Sequence, residues 1–460
     1  MKARLRAIVL VAASASAAFG VALGAPGAAA SEPAPQPATP VEHFIYVMQG
    51  SATFDHYYGT YDGADGIPDD TCQPLAAADC VQPFALHGTD PPPLSDIGGI
   101  QEAQYNDGAM DGFAAAFEAA GRDRRAPMGY FDRRDLPVSW RLADDYVLFD
   151  RFFAASQHGA RTNRSFWVAA APPRYVTTTD TTAATIDQPT IFDRLESAGV
   201  SWKFYVQDYD PAETFQARGG SRPVTQTIRV PLLEQERFVT DPALASHIVD
   251  LAEYRSDLAA GTLPAVSFVA ASRSGERSPA SIPAGQRLLG GMVDALAASR
   301  YWTSSAMLIT YDSPGGWYDH VPPPTSADGE LLGFRVPALL VGAHVRSGVV
   351  DSTPLDSSAG LAFVEGNWGL EPLSARDAGS PGFGSAFDFS APAREATIIA
   401  AAPVSTPSFA VRTAPVMWLY GAAAIAGLAV IGIAYASGRG HRGGRGSAAP
   451  AELNPLEQPP

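Results

Sequence analysis

The chain is poor in lysine, and no block of basic residues interrupts its body. Only Lys2 and Lys203 are lysines among 460 residues, and nearly all other cations are arginines. Acidic residues dominate, and the formal net charge is -16. Nucleic acids and anionic surfaces attract proteins through clustered positive charge. We therefore expect no binding of nucleic acid or of an anionic surface through the body of the chain.

The amino-terminal segment has the pattern of an export signal. Residues 1–30 combine a basic start, an apolar stretch and an Ala-rich end, which predicts a signal peptide cut after Ala30. A buried amino-terminal helix is the alternative. The stretch 31–40, SEPAPQPATP, argues against a buried helix. It is rich in proline, has the composition of a linker and cannot pack.

A second apolar segment lies near the carboxyl terminus. Residues 416–436 carry no charge, and as a helix they would extend about 30 Å, enough to cross a bilayer. Arginines follow at once in the Gly/Arg/Pro tail 437–460, which places the tail in the cytoplasm and the preceding chain outside. A buried core helix is the alternative, but the linker 402–415 and the tail leave nothing to bury it. The sequence predicts one membrane-spanning helix as the membrane partner and an extracytoplasmic location.

Only two cysteines are present, Cys72 and Cys80, eight positions apart in a turn-rich stretch. An extracytoplasmic location favours disulfides, so we expect the two to be paired, with two free thiols as the alternative. Neither arrangement predicts a zinc site, because no histidine or further cysteine lies near them at ligand spacing.

Residues 41–401, called the ectodomain below, show no internal repeat and are treated as one domain. Strand-like runs (HFIYVM, SWKFYV, AVSFVA, AMLITYD, VPALLVGA) alternate with the helix-like runs TIFDRLESAGV and GQRLLGGMVDALAAS. This alternation predicts an α/β protein with a mainly parallel sheet covered by helices on both faces. Ligands in such folds bind at the carboxyl ends of the strands. The stretches YVMQGSATFDHYYG and LITYDSPGGWYDHVPPP both lie where a predicted strand ends.

Several of these stretches together carry a resemblance to a known family. They are FDHYYGTYDGADGIP, YNDGAMDGF, MGYFDRRDLPVSWRLADDYVLFDRFF, GTLPAVSFV, TYDSPGGWYDHVPPP, FRVPALLVGAHVRSG and GNWGLEPLSARDA. The residues in these stretches, and the order of the stretches along the chain, resemble the motifs of the bacterial phosphoesterase family of phospholipases C and acid phosphatases. The resemblance covers nearly the whole ectodomain. It implies an alkaline-phosphatase-like three-layer α/β/α sandwich and hydrolysis of phosphoric esters.

The resemblance also implies a set of catalytic positions, and most of them are substituted in this chain. The family's metal-binding Glu-Asn pair corresponds to Gly50 and Ser51, and its nucleophilic Ser or Thr corresponds to Ala160. The second acid of its metal-binding pair corresponds to Ser313, so Asp312 is the one metal ligand retained there. Two family histidines correspond to Gly99 and Arg277.

Other positions match the family. The retained catalytic candidates are Asp312, Asp319 and His320, and the ligand-binding candidates are Asn163, Arg164, His247 and the substituted Arg277. Asp55 and His56 match as scaffold residues. His320 and Asp319 can equally form a structural turn, and Arg277 can equally be a solvent-exposed arginine. Asn163, Arg164 and Ser165 also read as a glycosylation sequon.

Metal binding and nucleophilic attack both depend on the substituted positions. A hard divalent cation takes about six oxygen ligands, whereas Asp312, Asp319 and the weak ligand Ser51 offer few. Thr162 or Ser165 could stand in for the nucleophile, but a hydroxyl without a metal or an adjacent base remains unreactive. No G-x-S-x-G elbow suggests a different hydrolase mechanism.

We therefore predict a membrane-tethered member of the family with little or no phosphoesterase activity and no cofactor. One alternative is an active phosphoric-ester hydrolase with a rearranged site, which would hold a divalent metal. Another is an ectodomain that binds an anionic or lipid headgroup through Arg277 and the loop at Gly50 without cleaving it. The substrate or ligand and the oligomeric state are not encoded in any motif that we identify.

Overall fold

The computed structural model describes residues 35–75, 79–87, 94, 100–177, 184–217, 225–272 and 282–399. All of them fall within one compact unit, Met1–Val404. The predicted signal peptide, the linker 402–415, the span 416–436 and the tail lie outside the described residues. Within those residues, no helix combines the length and the apolar character needed to span a bilayer.

The described strands are β1 (His43–Ser51), β2 (Gln73–Pro74), β3 (Cys80–Val81), β4 (Phe84–Ala85), β5 (Gly129–Tyr130), β6 (Val147–Phe149), β7 (Phe152–Phe153), β8 (Tyr175–Thr177), β9 (Ala184–Ile186), β10 (Trp202–Val206), β11 (Ile248–Asp250), β12 (Val266–Ala270), β13 (Ser305–Ser313), β14 (Ala338–Gly342), β15 (Val349–Asp351) and β16 (Leu355–Asp356). The described α-helices are α1 (Phe54–Tyr58), α2 (Ile100–Tyr105), α3 (Phe113–Ala119), α4 (Pro137–Asp145), α5 (Gly159–Ala169), α6 (Ile191–Ala198), α7 (Gln226–Arg229), α8 (Glu236–Thr240), α9 (Pro242–Ala245), α10 (Ala252–Ala260), α11 (Ile282–Ala297), α12 (Ser358–Trp368) and α13 (Ala375–Ala378).

Eight strands form the central sheet in the order β11-β10-β12-β1-β13-β14-β6-β15. Every neighbouring pair is parallel except the two that involve β14, which runs antiparallel to both β13 and β6. The predicted mainly parallel sheet is confirmed. The central strands are buried over nearly their whole length, as expected for a sheet that is covered on both faces.

Aromatic contacts show that helices cover both faces. Trp167 of α5 contacts Tyr46 of β1 at a centroid distance of 5.8 Å. Tyr46 pairs with Leu308 of β13, so Tyr311, three residues further, points to the opposite face. There Tyr311 meets Tyr57 of α1 at 5.3 Å. The α/β/α layering predicted from the sequence is therefore confirmed.

Helix α6 illustrates how local sequence fixes an element. The Thr190 side chain and the Asp193 side chain form a reciprocal capping box at its start. At its end, Gly199 has a φ of 68°, a left-handed conformation that glycine adopts without strain. The strand β10 then follows at Trp202, so the predicted helix-to-strand connection is confirmed.

The predicted disulfide between Cys72 and Cys80 is present, with the two Cα atoms 5.5 Å apart. It closes the short β2–β3 hairpin, in which Pro74 pairs with Cys80. The disulfide therefore cross-links a small two-stranded hairpin and not the central sheet.

A buried carboxyl pair joins α12 to α13. The Leu373 backbone N–H donates both to Glu365 Oε1 at 3.2 Å and to Asp377 Oδ2 at 2.8 Å. Both acidic residues are buried. Burial and then the neighbouring Asp377 raise the pKa of Glu365 to about 9, because a second negative charge in this space is unfavourable.

The replacement Glu365→Gln is expected to stabilise the protein at pH 8. In the wild type, the protonated Glu365 carboxyl contributes fully below its ordinary pKa of 4.5, and the contribution is lost as the pH rises towards about 9. Glutamine is neutral at every pH. We expect a gain of about 1 to 2 kcal/mol at pH 8, allowing for solvent screening, and almost none near pH 4.5.

Thermal unfolding of both proteins across this pH range measures the difference. Glu371→Gln is the matched control, because Glu371 is an exposed residue of the same segment and its replacement should shift the midpoint equally little at all pH values. If the unfolding midpoint of Glu365→Gln changes with pH from 4.5 to 8 as that of the wild type does, Glu365 is not protonated in the folded protein and the prediction is contradicted.

Candidate functional site

The candidate site lies at the carboxyl ends of β1 and β13, where the predicted α/β fold placed it. The two strands end side by side, and Ser51 is paired with Ser313 across them. The Ala52 backbone N–H donates to the Ser313 carbonyl at 3.0 Å, which extends the contact by one residue. The substituted Gly50-Ser51 pair and the retained Asp312 are thereby brought together.

Asp312 is buried, and both of its carboxylate oxygens are occupied by protein donors. Ser51 Oγ and Ser313 Oγ donate to Oδ1 at 3.2 Å and 2.8 Å. Arg164 Nε donates to Oδ2 at 2.8 Å. The side chains of Asp312 and Arg164 are only 4% and 2% exposed, so this is a buried ion pair in which the partner of the carboxylate is a guanidinium.

The guanidinium of Arg164 is held on all sides. Its Nη2 donates to the Gln49 carbonyl at 2.7 Å, and its Nη1 donates to the Arg229 carbonyl at 3.0 Å. The group also lies 5.8 Å from the ring centroid of Trp167. Because all three nitrogens are hydrogen-bonded, Arg164 connects β1, β13, α5 and α7 in one fixed geometry.

The donor set around Asp312 does not fit a divalent metal. A hard cation takes about six oxygen ligands, several of them charged, and here one carboxylate is accompanied by two hydroxyls that donate to it. The guanidinium of Arg164 already supplies the positive charge beside Asp312, and it stays charged at any relevant pH. A second cation at this position would be repelled by it.

Ala160, at the family's nucleophile position, is the second residue of α5 and is buried. The two substitute hydroxyls differ in their surroundings. Ser165 Oγ accepts a hydrogen bond from Gln188 Nε2 at 2.8 Å, deeper in the same helix. Thr162 is half-buried, and in the described part of the chain no hydrogen bond links its hydroxyl to a basic group. Neither Thr162 nor Ser165 therefore has a basic group that would activate its hydroxyl in the described part of the chain.

Asn163 carries a donor that the sequence did not single out. Its Oδ1 accepts from both the backbone N–H and the hydroxyl of Ser156, at 2.7 Å and 3.1 Å. This fixes the amide orientation, and Nδ2 is left buried without a partner among the described residues. Asn163 reaches back to the start of α5, where the cap residue His158 supplies no side-chain bond. A buried side-chain donor without a partner among the described residues thus belongs to a helix whose start lacks a side-chain cap.

Asp319 and His320 belong to a second charged cluster that centres on Arg335. Arg335 Nε donates to Asp319 Oδ1 at 2.8 Å, and Nη2 donates to Asp55 Oδ1 at 2.9 Å. All three groups of this ion pair network are buried. Arg335 Nη1 also donates to the carbonyls of Asp65 and Asp150 at 2.7 Å and 2.9 Å. Arg335 lies in the quoted FRVPALL stretch, but sequence analysis assigned it no role.

Both ring nitrogens of His320 face carboxylates. Nδ1 lies 2.8 Å from Asp55 Oδ2, and Nε2 lies 3.2 Å from Asp65 Oδ1. Carboxylates accept hydrogen bonds, so both nitrogens act as donors and the ring is favoured as an imidazolium. Burial lowers the pKa of His320, but the hydrogen bond and charge of Asp55 outweigh burial and raise it above its ordinary value.

Asp55, Asp319 and His320 bring three potential ligand atoms within 4.8 Å of one another. They do not fit a metal as they stand, because Arg335 neutralises the two carboxylates and a protonated imidazole has no lone pair to donate. A second such group, His87, Asp132 and Asp135, lies at the surface. There Arg134 Nη2 donates to Asp132 Oδ2 at 2.8 Å, so a cationic side chain again lies within the group.

One predicted ligand-binding residue, His247, is not brought to this edge. His247 precedes β11 and lies at the amino end of the parallel strands, where its Nδ1 bonds the Trp202 carbonyl at 2.9 Å and its ring stacks on Trp202. Its predicted role in ligand binding therefore has no geometric support. Arg277 and Gly99 lie outside the described residues.

His56 is a scaffold residue, as predicted. Its Nδ1 bonds the Gly129 carbonyl at 2.7 Å, and its ring stacks on Trp317 at a centroid distance of 3.7 Å. Burial lowers the pKa of His56 to about 3, so the ring is neutral. It fastens α1 to β5 and to the loop after β13.

The sequence of the chain is similar to those of known phosphoesterases and phospholipases C. The model described as the phosphoesterase family matches residues 41–371. "Phospholipase C A" of Mycobacterium tuberculosis is 26% identical over 426 residues, which covers 78% of this chain and 79% of that protein. "Non-hemolytic phospholipase C" of Pseudomonas aeruginosa is also 26% identical and covers 77% of this chain and 58% of that protein.

The solved structures that resemble the chain are more distant. One is a protein in the alkaline phosphatase superfamily from Vibrio parahaemolyticus, which is 12% identical, with a TM-score of 0.37. It covers 76% of this chain, and this chain covers 72% of it.

Proposed function

The chain belongs to the phosphoesterase family, and on that premise we propose that it is a member with little or no hydrolytic activity. The observation that carries the proposal is the buried Arg164–Asp312 ion pair, with an N–O distance of 2.8 Å. The only carboxylate retained from the family's metal ligands at this edge has an internal cation as its partner.

Arg164 does not take over the chemistry of a metal ion. A bound divalent ion lowers the pKa of a coordinated hydroxyl and polarises the phosphoryl oxygens. Each of the three nitrogens of Arg164 already donates one N–H to a protein acceptor. The side chain is only 2% exposed, so the guanidinium serves the fold rather than a substrate. Ala160 also offers no hydroxyl to activate. Loss of the metal charge and loss of the nucleophile therefore reinforce each other.

The main rival is an active phosphoric-ester hydrolase with a rearranged site. It requires a divalent ion near Asp312 or near the Asp55–Asp319–His320 group, and it requires the local arginine to move away. This rival and the proposal differ in metal content and in inhibition by chelators.

We expect the purified full chain to hydrolyse p-nitrophenylphosphorylcholine and p-nitrophenyl phosphate at least about a thousandfold more slowly than an active phospholipase C, because nucleophile and metal act as a unit. Elemental analysis should find no stoichiometric divalent ion, and Asp312→Ala should leave the residual rate unchanged. The matched variant Ala160→Ser should also restore nothing measurable.

Two results would contradict this expectation. Hydrolysis at ordinary family rates that Asp312→Ala abolishes would establish the rearranged site. A substantial gain from Ala160→Ser alone would show that a metal still activates a hydroxyl at the start of α5.

A second candidate function is binding of an anionic headgroup without cleavage. It is favoured by the unpartnered Asn163 Nδ2 and the uncapped start of α5, since helix starts attract anions. Arg229 adds positive charge nearby. Burial and then the charge of Arg164 lower its pKa, and its Nε is buried without a partner among the described residues.

Asn163→Asp tests this binding role with little change in shape. The substitution keeps the oxygen that accepts from Ser156 but replaces the free amide donor by a carboxylate oxygen, which repels an anion. We expect affinity for inorganic phosphate or phosphorylcholine to fall about tenfold or more. Asn106→Asp adds the same charge at an exposed position and should have little effect. Equal affinities for all three proteins in calorimetric titrations would rule out this role.

We further propose that the ectodomain is extracytoplasmic and tethered by residues 416–436. Support comes from the apolar, uncharged sequence of that segment with arginines after it, and from the Cys72–Cys80 disulfide, which oxidising compartments favour. In intact cells, added protease should remove an epitope placed in the ectodomain and spare one placed at the carboxyl terminus. The proposal fails if the ectodomain is protected, or if alkaline carbonate extracts the full chain from membranes.

A further inference from the structure

A cavity lies at the edge of the sheet opposite the candidate site. It follows β14, whose last residue Gly342 pairs with Ala306 near the start of β13. Its volume is about 280 Å³, and its polar lining comes from His344, Arg346, Ser347, Asp388 and Arg394. These residues belong to two separate segments of the chain, so no basic run in the sequence signals the cavity.

Two arginines of the lining are anchored but not neutralised. Arg394 Nη1 donates to the Asp145 and Val345 carbonyls at 2.9 Å and 3.2 Å. Arg346 Nε donates to the Ser385 carbonyl at 2.9 Å. Neither guanidinium has a carboxylate within ion-pair distance in the described part of the chain. Each therefore retains N–H groups and a full positive charge for a ligand.

The other polar groups limit what the ligand can be. His344 Nδ1 is buried and has no partner among the described residues. Asp388 contributes one negative charge, but its Oδ1 accepts from Ser390 and Ala391. Two guanidiniums and one carboxylate give the lining a formal charge of about +1 before His344 is counted, which matches the single negative charge of a phosphodiester or a phosphate monoanion.

An exposed apolar side chain borders the same segment. Phe389 is 38% exposed, and it is one of three large hydrophobic residues that stand exposed in the described part of the chain. Phe389 contacts the ring of His344 at a centroid distance of 5.7 Å. A charged cavity with an apolar ring beside it matches the two parts of a phospholipid, which are a charged headgroup and apolar acyl chains.

We propose that this cavity is a phosphate-binding site, in which Arg346 and Arg394 hold the phosphate group and His344 contributes a further polar contact. The volume accommodates a headgroup rather than a whole lipid. The site is separate from the family's catalytic edge, because it lies at the amino end of the parallel strands. Its existence does not depend on whether the catalytic edge hydrolyses or binds anything.

The test uses the full chain in a phosphate-free detergent and titrates it with inorganic phosphate and with glycerophosphoglycerol, a soluble phosphodiester. Both titrations are made on the wild type and on Asn163→Asp, so that binding at the start of α5 is separated from binding in the cavity. Arg346→Gln and Arg394→Gln are then compared in each protein. We expect each to weaken binding at least about tenfold, because a charge-assisted contact is lost.

Arg255→Gln is the matched control. Arg255 is exposed, donates through Nη2 to the Gly291 carbonyl and lies on α10, away from the cavity. Its replacement removes the same charge and should change the affinity for either probe by less than about twofold. Thermal unfolding identifies any variant that fails to fold. Arg346 is exposed, so its replacement should fold even if Arg394→Gln does not.

The outcomes separate the ligand sources. Tighter binding of the phosphodiester indicates a lipid headgroup, and equal or tighter binding of inorganic phosphate indicates free phosphate; either supports a phosphate site. The proposal is overturned if neither probe binds, if folded Arg346→Gln binds both as the wild type does, or if Asn163→Asp alone removes all binding.

Discussion

The candidate site depends on one constraint, which is that a buried carboxylate requires a positive partner. An unpaired carboxylate inside a protein loses its hydration and either protonates or destabilises the fold. Asp312 lies buried at the end of β13, so a cation must lie beside it. In the family that this chain resembles, a metal ion fulfils this requirement. Here Arg164 fulfils it from α5, and its remaining nitrogens bind the Gln49 and Arg229 carbonyls. The ion pair therefore determines how the edge is held together, and our proposal of lost hydrolysis rests on it.

The same solution appears at the second cluster. Arg335 neutralises Asp55 and Asp319, and His320 lies between the carboxylates of Asp55 and Asp65. These side chains have catalytic types, but each one has a structural partner in the fold. The stretches FDHYYG and DHVPPP are thus explained by the turns and ion pairs that they form around Arg335. Removing one member would leave the others buried and uncompensated, which typically costs about 3 to 5 kcal/mol.

The layered fold and the meeting of β1 with β13 could be predicted from the sequence, because alternating apolar runs specify strands and helices and the carboxyl ends of parallel strands converge. The substituted positions Gly50, Ser51, Ala160 and Ser313 followed from the resemblance. The partners could not be predicted, because pairing of Arg164 with Asp312 is a contact between residues 148 positions apart. The unpartnered Asn163 Nδ2 could not be predicted either, because only the two hydrogen bonds from Ser156 to Oδ1 show which end of the amide has no partner. The cavity of Arg346 and Arg394 could not be predicted from composition, because the two arginines are isolated in the sequence and only the fold brings them together.

The distribution of satisfied and unsatisfied donors separates scaffold from function in this protein. A donor that already has a protein acceptor gains little from a ligand, because binding would exchange one hydrogen bond for another. Arg164, Arg335 and His56 are of this kind, so their chemical types are a poor guide to activity. Asn163 Nδ2, Arg346 and Arg394 have unused N–H groups, and a ligand that supplies an acceptor would remove a standing cost or add a charged contact. This contrast between used and unused donors is the physical basis of our proposal that the protein holds an anion rather than cleaving an ester.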